Sequence, residues 1–145
     1  MLFLTLKNSW LGLVVVGSLL GQAGAEPTNI KAAISKIENS AVCASDTKAD
    51  ILKCEQLQAG VYETYLNSSY QKAAALVTKK GGNKAYRTLV DAQRMWVQFR
   101  EKNCSVFKLT YQGGDFSEMS YIGCKSDYAK DRAEQLDSMF DQLNR

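Results

Sequence analysis

Histidine is absent from the 145 residues. That removes the side chain most often used as a general base, the Ser-His and Cys-His nucleophile pairs, and imidazole as a metal ligand. Proline occurs once, at Pro27. Beyond that point the chain lacks the residue that most sharply stops a helix, so long helices are expected. Strong charge is missing too. Only Lys7 of the 18 lysines and arginines lies in residues 1–25, which hold no acid, leaving 17 against 15 and a net charge of +2. That balance is too mild and too dispersed for a nucleic-acid surface. Gly113-Gly114 has neither the lysine nor the flanking glycines of a phosphate loop. Carboxylates at helical spacing, such as Asp127 and Asp131, belong to an exposed acidic stripe. A two-carboxylate hydrolase stays open as the one catalytic alternative, but the residues argue against an enzyme.

The first 25 residues read as an export signal. Lys7 precedes an apolar run from Trp10 to Leu20, and Ala23-Gly24-Ala25 is the small-x-small pattern of a cleavage site. The run is short for a membrane span, an uncleaved anchor being the alternative, and no cysteine stands nearby to carry a lipid. The mature chain would start at Glu26, with no stable membrane insertion after cleavage. All four cysteines, Cys43, Cys54, Cys104 and Cys124, follow it. An even count behind a signal predicts two disulfides in a periplasmic or secreted protein. Metal binding is the rival reading, but no two cysteines have the close spacing of a zinc site, so neither metal nor cofactor is expected. The sequons Asn67-Ser68-Ser69 and Asn103-Cys104-Ser105 both fall in expected helices and carry little weight.

Residues 26–42 form an N-terminal segment with one short helix, weakly periodic through Ile30, Ile34 and Ile37. Thr47-x-x-Asp50 then opens a long helix that Gly81-Gly82 closes near Lys80. Asn83 is placed to cap the next helix. Its apolar face is Ala85, Leu89, Ala92, Trp96 and Phe99, opposite Arg87, Asp91, Gln98, Glu101 and Lys102. Ser105 to Ser117 breaks the pattern and turns at Gly113-Gly114. Asp115-x-x-Glu118 starts the last helix, apolar along Tyr128, Leu136, Met139, Phe140 and Leu143. Its other face is acidic, at Asp127, Asp131, Glu134, Asp137 and Asp141. The architecture is therefore all-α: a compact antiparallel bundle of three long helices plus a short N-terminal helix, stapled by two disulfides over residues 43–145.

Four cysteines allow three pairings. The expected helix ends favour Cys43–Cys54, a fold-back at a helix start, and Cys104–Cys124, a clamp on the glycine loop. Glu55, Arg100 and Arg132 each project toward the side their helix should bury. Buried charges persist when paired, which points to a cluster in which Glu55 accepts from one or both arginines, with Gln58 and Gln93 filling the remaining bonds. The alternative is that the long stems run along the bundle and their heads reach water.

Taken in order, the motif residues are Cys43, Cys54, Leu66-Asn67-x-x-Tyr70, Ala92-Gln93-x-x-Trp96-x-x-x-Arg100, Cys104, Tyr111-x-Gly113-Gly114, Cys124 and Arg132. This order resembles the lysozyme inhibitor LprI-like domain, over roughly Cys43 to Leu136. The resemblance implies a stapled helical domain that binds and occludes a muramidase, so a lysozyme or another cell-wall protein is the implied partner. The chain lacks the lipid-bearing cysteine of the anchored member. A different class is an envelope structural or stress-protective module that binds peptidoglycan or a protein without inhibiting any lysozyme. A possible binding loop is Tyr111, Gly113, Gly114 and Asp115, with Phe116 and Tyr121 either lining an aromatic groove or covering the bundle's end.

Overall fold

The computed structural model describes residues 27–145, so the expected export signal lies outside the described residues. Three helices follow in order: α1 (Pro27–Glu38), α2 (Lys48–Thr110) and α3 (Asp115–Asn144). Thr47 caps α2, its hydroxyl accepting from the Asp50 amide at 3.2 Å. The Asp50 carboxylate accepts in return from the hydroxyls of Thr47 and Ser45, each at 2.7 Å. These two donors, Thr47 first, hold the Asp50 carboxyl below its ordinary range.

Helical geometry in α2 fails at one residue, Gly82, with φ 63° and ψ −165°. Glycine reaches that region without a Cβ penalty. A Cβ on Gly81 would lie 2.5 Å from the Cβ of Ala85, so the reversal leaves no room for a side chain there. The chain therefore doubles back, and α2 is a hairpin of two arms, residues 48–81 and 83–110. Their antiparallel register is set by contacts such as Arg100 to Glu63, 37 residues apart in sequence. Asn83 has helical backbone and is not a cap. The three long rods expected from sequence are the two arms and α3, with α1 as the short fourth.

The break expected over Ser105–Ser117 is a correction. The second arm runs on to Thr110, and only residues 111–114 connect it to α3. Phe107 and Tyr111 stand one turn apart, and their rings stack at 6.3 Å. That is the spacing at which side chains meet on a helix, so the stretch expected to break the pattern is helical as far as Thr110. Termination falls to Gln112, Gly113 and Gly114, all at positive φ. Gly114 occupies the cap position of α3 without a side-chain bond, so Asp115-x-x-Glu118 is no capping box. Its two acids sit in the first turn, where the helix dipole favours them.

The core joins Ile30 of α1, Tyr65, Leu66, Ala73 and Val77 of the first arm, Leu89 of the second, and Ala129, Ala133 and Leu136 of α3. Ala73, Ala129 and Ala133 are wholly buried, which allows the first arm and α3 to lie close. Lys80 donates to the Leu143 carbonyl and ties their far ends together. Trp96 packs against the edge of this cluster and is half-buried. The second arm is rotated from the expected face: its buried residues are Leu89, Arg100 and Cys104, while Phe99 is 52% exposed. Phe99 meets α3 sideways, edge-on to Tyr128 at 5.6 Å.

Candidate functional site

Both expected staples are present. Cys43 and Cys54 bridge with a Cα separation of 5.1 Å, and Cys104 and Cys124 with one of 5.6 Å. The first pins the loop before α2 to its first arm, and the second ties the second arm to α3 across the 111–114 connection, the tip of the bundle.

The most specific motif builds a clasp around Trp96. The Arg100 guanidinium lies 4.9 Å from the indole centre and that of Arg132 lies 5.8 Å from it, both within cation–π range. Arg132 donates from Nε to Gln93 Oε1 at 3.0 Å and from a terminal nitrogen to Gln135 Oε1 at 3.1 Å. Burial lowers the Arg132 pKa, but a guanidinium stays charged in proteins. Arg100 donates to Glu63 Oε1 at 2.6 Å and stands 3.7 Å from Glu101. Its side chain is 8% exposed against 39% for Glu63, and its buried Nε has no partner among the described residues.

The expected Glu55–Arg100–Arg132 cluster needs correcting at its acidic member, because Glu63 is the acceptor. In a hairpin, residues equidistant from the reversal face each other, and Glu63 and Arg100 stand 19 and 18 residues from Gly82. Glu55 lies two helical turns further down, half-buried beside Gly123. Counting outward from the glycine pair was the signal in the sequence that could have found Glu63. Of the other motif residues, Leu66 is core, Asn67 is exposed and Tyr70 is half-buried. Burial is the main cause of a raised Tyr70 pKa, with Tyr86 adding to it.

A second polar network flanks the Cys104–Cys124 staple. Glu101 accepts from Tyr121 at 2.7 Å and pairs with Lys125 at 2.8 Å. The Tyr121 ring carries Lys108 at 3.9 Å and Lys125 at 5.2 Å from its centre. Burial alone would raise Glu101, but donation from Lys125 and Tyr121 holds its carboxyl below the ordinary range. Tyr121 is thereby occupied away from the tip. Of the expected aromatic trio only Tyr111 and Phe116 meet, edge-on at 4.7 Å. The tip displays these two rings and the Asp115 carboxylate, which lies 3.7 Å from Lys48. Both of those charged side chains are largely exposed, so the pair adds little stability.

The outward side of α3 carries Asp127, Asp131, Glu134 and Asp141, all exposed. An open hollow lies along it between Asp131, Glu134, Gln135 and Ser138. Asp137 is the exception, accepting from the Tyr65 hydroxyl at 2.7 Å. Across α3, seven acids face three bases, a net −4. The second arm has six bases and two acids, a net +4. The bundle is polarised across its width.

Fold and site together describe a disulfide-stapled helical domain in which the inward-facing charges hold the rods together and shape and charge are left on the outside. The chain belongs to the lysozyme inhibitor LprI family, whose model matches residues 40–136. That stretch takes in both staples and the whole clasp. No curated protein and no solved structure matches the chain.

Proposed function

We propose that the protein is an exported, non-catalytic binding protein that occludes a lysozyme-type muramidase. Residues 1–25 act as its export signal, residues 26–42 as an N-terminal segment, and residues 43–145 as the binding domain in the periplasm or medium. The observation that carries this reading is the family match over residues 40–136. The two disulfides favour an oxidising compartment. Lysozymes of the common type are strongly basic, so α3, at net −4, is the surface with the matching sign. The clasp residues support that surface from behind: Arg132 and Gln135, on α3 itself, are fixed through Gln93.

The test is a cell-wall clearing assay with c-type, g-type and bacterial lysozymes. Saturable loss of clearing by at least one of them supports the proposal. No effect on any of them at micromolar excess of the protein refutes inhibition and leaves the envelope structural module as the reading to pursue.

A further inference from the structure

The five most exposed large apolar side chains of the described residues lie on the second arm or just past it: Leu109 (79%), Met95 (65%), Phe116 (58%), Val106 (55%) and Phe99 (52%). Met95, Phe99, Lys102, Val106 and Leu109 recur at spacings of four and three, which places them on one helical stripe facing water. Lys84, Arg87, Arg94 and Lys102 lie on or beside the stripe and are all exposed. Asp91 is the one acid near it, and it is engaged by Arg94 at 3.5 Å. Lys102 makes no ion pair among the described residues.

We propose that this face docks on an anionic phospholipid surface. Met95, Phe99, Val106 and Leu109 would enter the boundary between headgroups and acyl chains, and the four cations would meet lipid phosphates. Apolar residues rimmed by lysine and arginine on one helix face are what such a surface selects. Charge complementarity decides for it, since an apolar stripe flanked by four exposed cations and one acid calls for an anionic counterpart. The shape agrees. The stripe is the convex side of a single helix, and hollows among the described residues lie elsewhere, on α3 and beneath α1. A partner helix would instead need a groove to seat its side chains. A second copy fits poorly, because a twofold axis matching Met95 to Leu109 and Phe99 to Val106 sets Lys102 against its twin. Docked this way, the acids of α3 are repelled from the lipid, which orients the bundle. The proposal does not depend on the muramidase reading.

The experiment is co-sedimentation of the purified protein, its first residue fixed by mass spectrometry, with phosphatidylcholine vesicles with or without phosphatidylglycerol. Wild type is expected to pellet only with the anionic vesicles and less so as salt rises. Met95→Ser/Phe99→Ser/Leu109→Ser should abolish pelleting. Lys102→Glu should weaken it at least fivefold, the effect expected of losing one cation at the surface. Leu57→Ser, on the other arm, should change nothing. These are surface substitutions, and circular dichroism checks that each variant stays folded. Equal pelleting of wild type and the triple variant overturns the proposal, since another part of the chain then binds. So does pelleting with neither vesicle. A lipid-free dimer that the triple variant abolishes also overturns it, in favour of a second copy.

Discussion

Glu63→Gln should destabilise the protein by about 2 kcal/mol although it leaves the packing intact. Arg100 Nη1 lies 2.6 Å from the carboxylate, and the arginine side chain is 8% exposed. Two unit charges about 4 Å apart interact by about 4 kcal/mol at the effective dielectric of a protein surface. Glu63 is 39% exposed, so water screens a good part of that, and halving it gives about 2 kcal/mol. Glu101 at 3.7 Å and the Trp96 ring remain with Arg100, which keeps the loss below the cost of a fully orphaned buried charge. The assay is urea unfolding of the oxidised protein at neutral pH, followed by circular dichroism, in a double-mutant cycle with Arg100→Met. A Glu63–Arg100 coupling of about 2 kcal/mol is expected, with a Glu55–Arg100 coupling near zero. Coupling to Glu63 below about 0.5 kcal/mol, the scatter of independent sites, would refute the register drawn from the hairpin.

Replacing Cys104 and Cys124 by serine opens a loop of 20-residue separation and should cost about 3 kcal/mol by chain entropy, read as an earlier urea midpoint. Gly81→Ala forces a Cβ to 2.5 Å from that of Ala85, and a loss above about 1 kcal/mol is expected from such overpacking. With no histidine in the chain, stability should be flat between about pH 5 and 8. The Glu101 network then sets a limit on each side. Glu101 is lowered on folding from its ordinary 4.5, so its contribution is present above that value and is lost as pH falls through the folded pKa. Tyr121 and Lys125 are raised above their ordinary 10.0 and 10.5, so theirs is present below those values and is lost as pH rises through the folded ones. Lys125→Met should shrink both limbs of the curve, and unchanged limbs would count against the network.

Features set by local chemistry were legible in the sequence. Gly81-Gly82 marked the reversal because Gly82 takes a backbone that favours glycine and Gly81 has no room for a Cβ, and the cysteine positions at expected helix ends selected the right pairing among three. Trp96, Gln93 and Arg100 were recognisable as one unit because their spacing places them on one side of a helix. What could not be read depended on rotation and register between rods. Phe99 sits about 60° to one side of Trp96 and Arg100 about 40° to the other, a difference that apolar periodicity alone blurs. Glu63 could be matched to Arg100 only by counting outward from the glycine pair, because face assignment within one helix carries no information about height along its neighbour. The continuation of the second arm through Val106, Phe107 and Leu109 was obscured because the apolar periodicity of the arm breaks after Cys104 and the glycine turn follows closely. The outward apolar stripe was hidden for the same reason, since Phe99 was expected in the core, Lys102 on the opposite face, and Val106 and Leu109 in a loop.

The decisive measurement is calorimetric titration of a lysozyme inhibited in the clearing assay with the wild-type protein and with Asp127→Asn/Asp131→Asn/Glu134→Gln. All three side chains are exposed, so the fold should be unaffected. Saturable one-to-one binding is expected, weakening with salt and falling at least tenfold in the variant. Binding of equal strength in both proteins, or no heat from the wild type, would contradict it.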